Sequence, residues 1–75
     1  MMKKYSNISN AILAVLKDNP ERDFALEELS ALLFPRDGQE DEKQNQAAVL
    51  DMLIFLDDQK MILLDFETDR CRLAK

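Results

Sequence analysis

The sequence predicts an α+β fold in a single domain spanning residues 1–75: three helices followed by a C-terminal β-hairpin. Three observations carry that expectation. Apolar residues recur at helical spacing in three separate stretches. After Lys60 the apolar period changes to two, which is the period of a strand. With 47% hydrophobic and 33% charged residues, the chain has the balance of an ordinary globular domain and not of a disordered one. At 75 residues it sits near the lower limit for folding without staples, and one Cys with no His offers neither a disulfide framework nor a His or Cys metal cluster.

The first helix is capped by Ser6 or Asn7 and carries an apolar stripe of Ile8, Ala11, Ile12, Val15 and Leu16. Residues 1–6 before it read as a flexible N-terminus. Asn19-Pro20 stops the helix, because Asn tolerates a left-handed turn and Pro cannot continue the ladder. Glu21-Arg22-Asp23 is a solvated loop, and Phe24-Ala25 is a short extended piece. The second helix opens at Leu26, with Glu27 and Glu28 at the positive end of its dipole. Leu26, Leu29, Leu32 and Leu33 form its buried side. Ala25 is a poor N-cap, so either Asp23 caps this helix or its start is loose.

Phe34-Pro35 ends the second helix, and Pro35-Arg36-Asp37-Gly38 makes a turn around the chain's one Gly. A loop to about Glu40 leads into the third helix, capped by Asp37 or Asp41, with Glu40, Asp41 and Glu42 favourable at its entrance. Val49, Met52, Leu53 and Leu56 form its core face. Leu50 and Ile54 lie about 100° further round and Phe55 further still, so the helix is apolar almost all the way round. Asp57-Asp58 reads as a solvated helix end. Ile62, Leu64 and Phe66 then alternate with Leu63, Asp65 and Glu67 as a strand. Arg70-Cys71-Arg72-Leu73 returns as a second strand, with Cys71 and Leu73 inward. Neither Asn-Gly nor Asp-Gly joins the two, which predicts a loop of three to five residues.

The order helix, extended piece, helix, turn, long helix and hairpin resembles the winged-helix family of helix-turn-helix domains. The resemblance covers about residues 8 to 74. It rests on Val49, Leu53 and Leu56 running into Asp57-Asp58-Gln59-Lys60-Met61-Ile62, which is similar to the end of a recognition helix. Leu26-Glu27-Glu28-Leu29-Ser30-Ala31-Leu32-Leu33 is similar to the helix that precedes it. Lys60 stands where the family usually has Gly, and the connection from Pro35 to about Glu40 is longer than the family's tight turn. The resemblance implies that Lys43, Gln44, Asn45 and Gln46 would face a major groove while Arg70 and Arg72 touch phosphate or minor groove from the wing.

Charge speaks against that use. The formal net charge is −5, and acids outnumber bases throughout residues 11–60. A nucleic-acid module usually carries a basic stripe, since phosphate neutralisation supplies most of its non-specific affinity. Arg70 and Arg72 also have a plainer reading, cross-strand pairing with Asp65 or Glu67. The favoured expectation is therefore a winged-helix-like module working through protein contacts, with a protein partner or a second copy of itself. Leu50, Ile54, Phe55 and Leu63 are the interface candidates, because exposed contiguous apolar patches mark such sites. The competing arrangement has the first helix and Tyr5 cover them within one monomer. DNA-binding regulation is the alternative function.

The sequence holds no catalytic constellation: no His, no Gly-rich phosphate loop and no Cys pair, so neither an enzyme nor a cofactor is expected. The acids Glu40, Asp41 and Glu42 lack the spaced ligands of a calcium loop. Lone Cys71 fits a reducing compartment and reads as a small core hydrophobe. With no run of about 18 apolar residues and no signal-like stretch after Lys3-Lys4, the expected location is the cytoplasm.

Overall fold

A computed structural model describes residues 7–35 and 41–74. The proposed flexible N-terminus, the candidate caps Ser6 and Asp37, Tyr5, Gly38 and Glu40 lie outside the described residues. Within them, three helices and three strands follow in the order α1 (Ile8–Asp18), β1 (Phe24–Ala25), α2 (Leu26–Leu33), α3 (Glu42–Asp58), β2 (Ile62–Asp65) and β3 (Arg70–Leu73). This is an α+β architecture with a small antiparallel sheet in the order β1-β3-β2. The expected hairpin is present, but it is two-thirds of a sheet. Phe24 pairs with Cys71 and Ala25 with Arg70, so the short extended piece is a third strand.

The core gathers Ile8, Ile12 and Leu16 from α1, Phe24 from β1, Leu29 from α2, Val49, Leu53 and Leu56 from α3, Ile62 from β2 and Cys71 from β3. Full burial of such a side chain contributes roughly 1.5–3 kcal/mol, so this one cluster carries most of the fold. The α1 stripe buries at positions 8, 12 and 16, one line of four-residue steps. Asn19 ends that helix without a left-handed turn, at φ −136°. Its side-chain amide donates to the Val15 carbonyl at 3.1 Å, and its N–H donates to the Leu16 carbonyl at 3.1 Å.

In α2 the buried side is Leu29 with Ser30, and Leu32 is 53% exposed. The expectation for Leu32 fails for a geometric reason. Positions 26, 29, 30 and 33 share one helical face, and position 32 lies more than a quarter-turn away from it. No side chain caps α2 at Ala25. The Leu26 N–H donates instead to the Asp69 carbonyl at 2.9 Å, so the hairpin turn supplies the acceptor. Asp23 is engaged with Arg70, which removes it as the cap.

The third helix starts at Glu42, two residues later than expected, with Asp41 at the cap position and no side-chain cap bond. It ends in a Schellman arrangement: Met61 N–H donates to the Leu56 carbonyl at 3.0 Å and Lys60 N–H to the Asp57 carbonyl at 2.9 Å. Lys60 takes the left-handed conformation there, at φ 64°. Asp57 is no solvated helix end. Half-buried, it accepts a hydrogen bond from the Leu64 N–H at 3.1 Å and so occupies a donor of edge strand β2. Four residues, Phe66 to Asp69, join β2 to β3, within the expected loop length. Because β2 ends at Asp65, Phe66 belongs to the loop and is 62% exposed rather than inward. None of the described helices is long and apolar enough to cross a membrane.

Candidate interaction surface

One turn of a helix decides which α3 residues are available. The buried line is Asn45, Val49, Leu53 and Leu56. Opposite it runs an exposed stripe of Gln44, Ala47, Asp51, Ile54, Phe55 and Asp58, at spacings of three, four, three, one and three. Ile54 is 41% exposed and Phe55 54%. Leu50, only about 100° from Val49, is half-buried, so it offers less surface than its three fellow candidates.

The fourth candidate, Leu63, is 55% exposed on the outer face of β2, directly opposite Arg72 in the register. Met61 at 44% and Phe66 at 62% are exposed as well. The sequence pattern singles out neither as exposed, because its alternation runs one residue past the end of β2 and turns Phe66 inward. The short loop between strands was the available signal, since its length fixes where β2 must stop.

The outer face of the sheet carries the cations. Arg70 grips Asp23 with two hydrogen bonds, Nε to Oδ2 at 3.1 Å and a terminal amino group to Oδ1 at 3.0 Å. This corrects the expected pairing of Arg70 with Asp65 or Glu67. Strand β1 lies against β3 and delivers Asp23 to the guanidinium, whereas Asp65 accepts from the Glu67 N–H at 2.9 Å within the loop. The Arg70 hydrogen bonds hold the Asp23 carboxyl below its ordinary value, and Asp23 raises Arg70 in turn. Around the pair lies a shallow hollow of about 420 Å³, lined by Leu63, Asp65, Thr68 and Arg72 as well. Nearby, Arg22 pairs with Glu28 and lies 4.4 Å above the Phe24 ring, shielding that core residue.

The four residues expected to face DNA from the start of α3 do not act together. Lys43 and Gln44 are exposed. Asn45 is 2% exposed and faces the interior, which removes it as a base-reading residue. It sits four residues before Val49, so extending the core stripe back one turn would have found it. Gln46 is half-buried and donates to Glu42 Oε1 at 3.2 Å. It lines a hollow of about 170 Å³ with Ala25, Leu26, Glu27, Thr68 and Asp69. The space between the start of α3 and the hairpin turn is therefore edged by carboxylates, a poor seat for phosphate.

Cys71 is buried at 1% exposure in the centre of the sheet, and burial, with the Asp23 charge second, pushes its thiol up to about 11. A thiol held protonated in this way is an inert packing group. Comparison with known proteins returns no family model, no curated protein and no solved structure that matches this chain. Its class rests on its own geometry: a small α+β unit with a buried core, an exposed Ile54–Phe55 pair on α3 and two arginines engaged with carboxylates.

Proposed function

We propose that this chain is a non-enzymatic, winged-helix-like module that works through protein contacts, as a regulatory or adaptor unit. The carrying observation is the exposure of Ile54, Phe55 and Leu63 together with Met61 and Phe66, each more than two-fifths accessible in a small acidic chain. Exposed large side chains in such number carry a solvation cost that burial against a partner recovers. The element order supports the winged-helix comparison, with β1 placed beside the hairpin as the extended piece between the first two helices.

A homodimer is one form of this reading, and the acids beside the α3 apolar pair weigh against it. Sedimentation tests it: Ile54→Glu and Leu50→Glu should weaken a concentration-dependent dimer, and a folded monomer at all concentrations would remove that form. DNA binding is the second reading, and exposed Lys43, Gln44 and Arg72 are what favour it. Duplex binding in ~100 mM salt, abolished by changing Lys43, Arg70 and Arg72 together to Ala, would reverse the ranking. Three of its six proposed contacts are compromised, Asn45 by burial, Gln46 by its bond to Glu42 and Arg70 by its pairing with Asp23.

A further inference from the structure

We infer that the outer stripe of α3 receives a basic amphipathic helix of another protein. The inference rests on the protein-contact reading and names the chemistry of its partner. Ile54 and Phe55 are exposed side by side, with Asp51 one turn before them and Asp58 one turn after. The two carboxylates stand seven residues apart, about 10 Å along the axis. An apolar centre bracketed by anions at that spacing complements a helix whose leucine-like side chains alternate with Lys or Arg every two turns.

Charge also decides against a second copy as the occupant. Two such stripes laid antiparallel would bring Asp51 of one against Asp58 of the other, on chains that each carry −5. Like charges so opposed cost affinity, whereas a cationic partner gains both on-rate and register from them. Among the described residues, the cations nearest to this segment in sequence, Lys43 and Lys60, stand beyond it. Lys43 precedes Asp51 by two turns, and Lys60 follows the end of the helix. Neither neutralises the acids that flank the apolar pair.

Fluorescence anisotropy of labelled peptides on the full chain tests this. The probe is a helical peptide of about 18 residues, five turns, made of Leu and Lys, and its control replaces every Lys with Gln. The expected result is that the Leu–Lys peptide binds and the Leu–Gln peptide binds at least about tenfold more weakly. The double variant Asp51→Asn with Asp58→Asn should lose about tenfold for the Leu–Lys peptide, and so should Phe55→Ala. Each variant is checked for an unchanged circular dichroism melt. Equal binding of the two peptides, or full affinity in the double variant, overturns the basic partner and leaves the protein-contact reading standing. A dimer that Ile54→Glu breaks, with no peptide bound, also overturns it, because the stripe then belongs to a second copy. A monomer that binds neither peptide overturns the basic-helix inference.

Discussion

Lys60 is a residue in a conformation that suits another residue. Its φ of 64° places a side chain where the Cβ crowds the backbone, at a cost of roughly 1 kcal/mol. The two backbone bonds that close the end of α3 hold it there, and the sequence alone could not show that they would prevail over the missing Gly. Asn7 at 62° and Asp69 at 54° also take positive φ, but their short polar side chains tolerate it better. Lys60→Gly is therefore expected to stabilise the fold by about 0.5 kcal/mol at most, after the greater freedom of Gly in the unfolded chain is subtracted. Urea denaturation measures it, and an unchanged or lower midpoint would contradict the strain argument. Cys71 gives a second residue-level expectation. Its thiol is raised from 9.0 to about 11 by burial, so the folded state holds the proton more tightly than the unfolded one. That contribution is fully present below pH 9.0 and is lost as pH rises toward about 11. The stability difference between the native chain and Cys71→Ala should shrink across that window and stay flat below it.

At the scale of elements, one carboxylate ties α3 to β2 beside the backbone bonds that close the helix. Asp57 reaches from the last turn of the helix to the Leu64 N–H, an edge donor that β3 cannot satisfy. Asp57→Ala should cost about 1 kcal/mol, the net value of such a bond. It should also speed hydrogen exchange at the Leu64 amide, while Asp57→Asn keeps an acceptor and most of the protection. Equal exchange in both variants would show that the edge is closed by something else. The helices were legible in advance because four-residue apolar steps survive into the core unchanged, as in Ile8, Ile12 and Leu16. The third strand was legible only as an extended piece. Two residues, Phe24 and Ala25, are too few to show a period, and their partners Cys71 and Arg70 lie more than 40 positions away. The same distance hid the Asp23–Arg70 pair: local reasoning offered Asp65 and Glu67, and the sheet order chose otherwise.

For the whole molecule, the surplus of apolar residues on α3 was readable from the sequence. How that surplus divides between core and surface was not, since it depends on which side the sheet and α1 approach. Leu50 went partly inward, and Ile54 and Phe55 stayed out. The acid excess is the other property of the whole chain, and it carries the last expectation. The molecule measures 33 × 26 × 21 Å, so at ~0.01 M salt, where screening extends about 30 Å, nearly every carboxylate acts on every other. At ~0.15 M the screening length falls to about 8 Å, and only neighbours still interact. A net charge of −5 repels itself in the compact state, and this repulsion is what salt removes first. The ion pairs Asp23–Arg70 and Arg22–Glu28 are exposed and add little in opposition. Raising NaCl across this range should therefore increase the urea midpoint, while binding of any basic partner on the α3 stripe should weaken over the same range. Urea is the suitable denaturant because it adds no ions of its own. A midpoint that falls with salt would show that paired charges, and not the excess of acid, dominate the electrostatics of this fold.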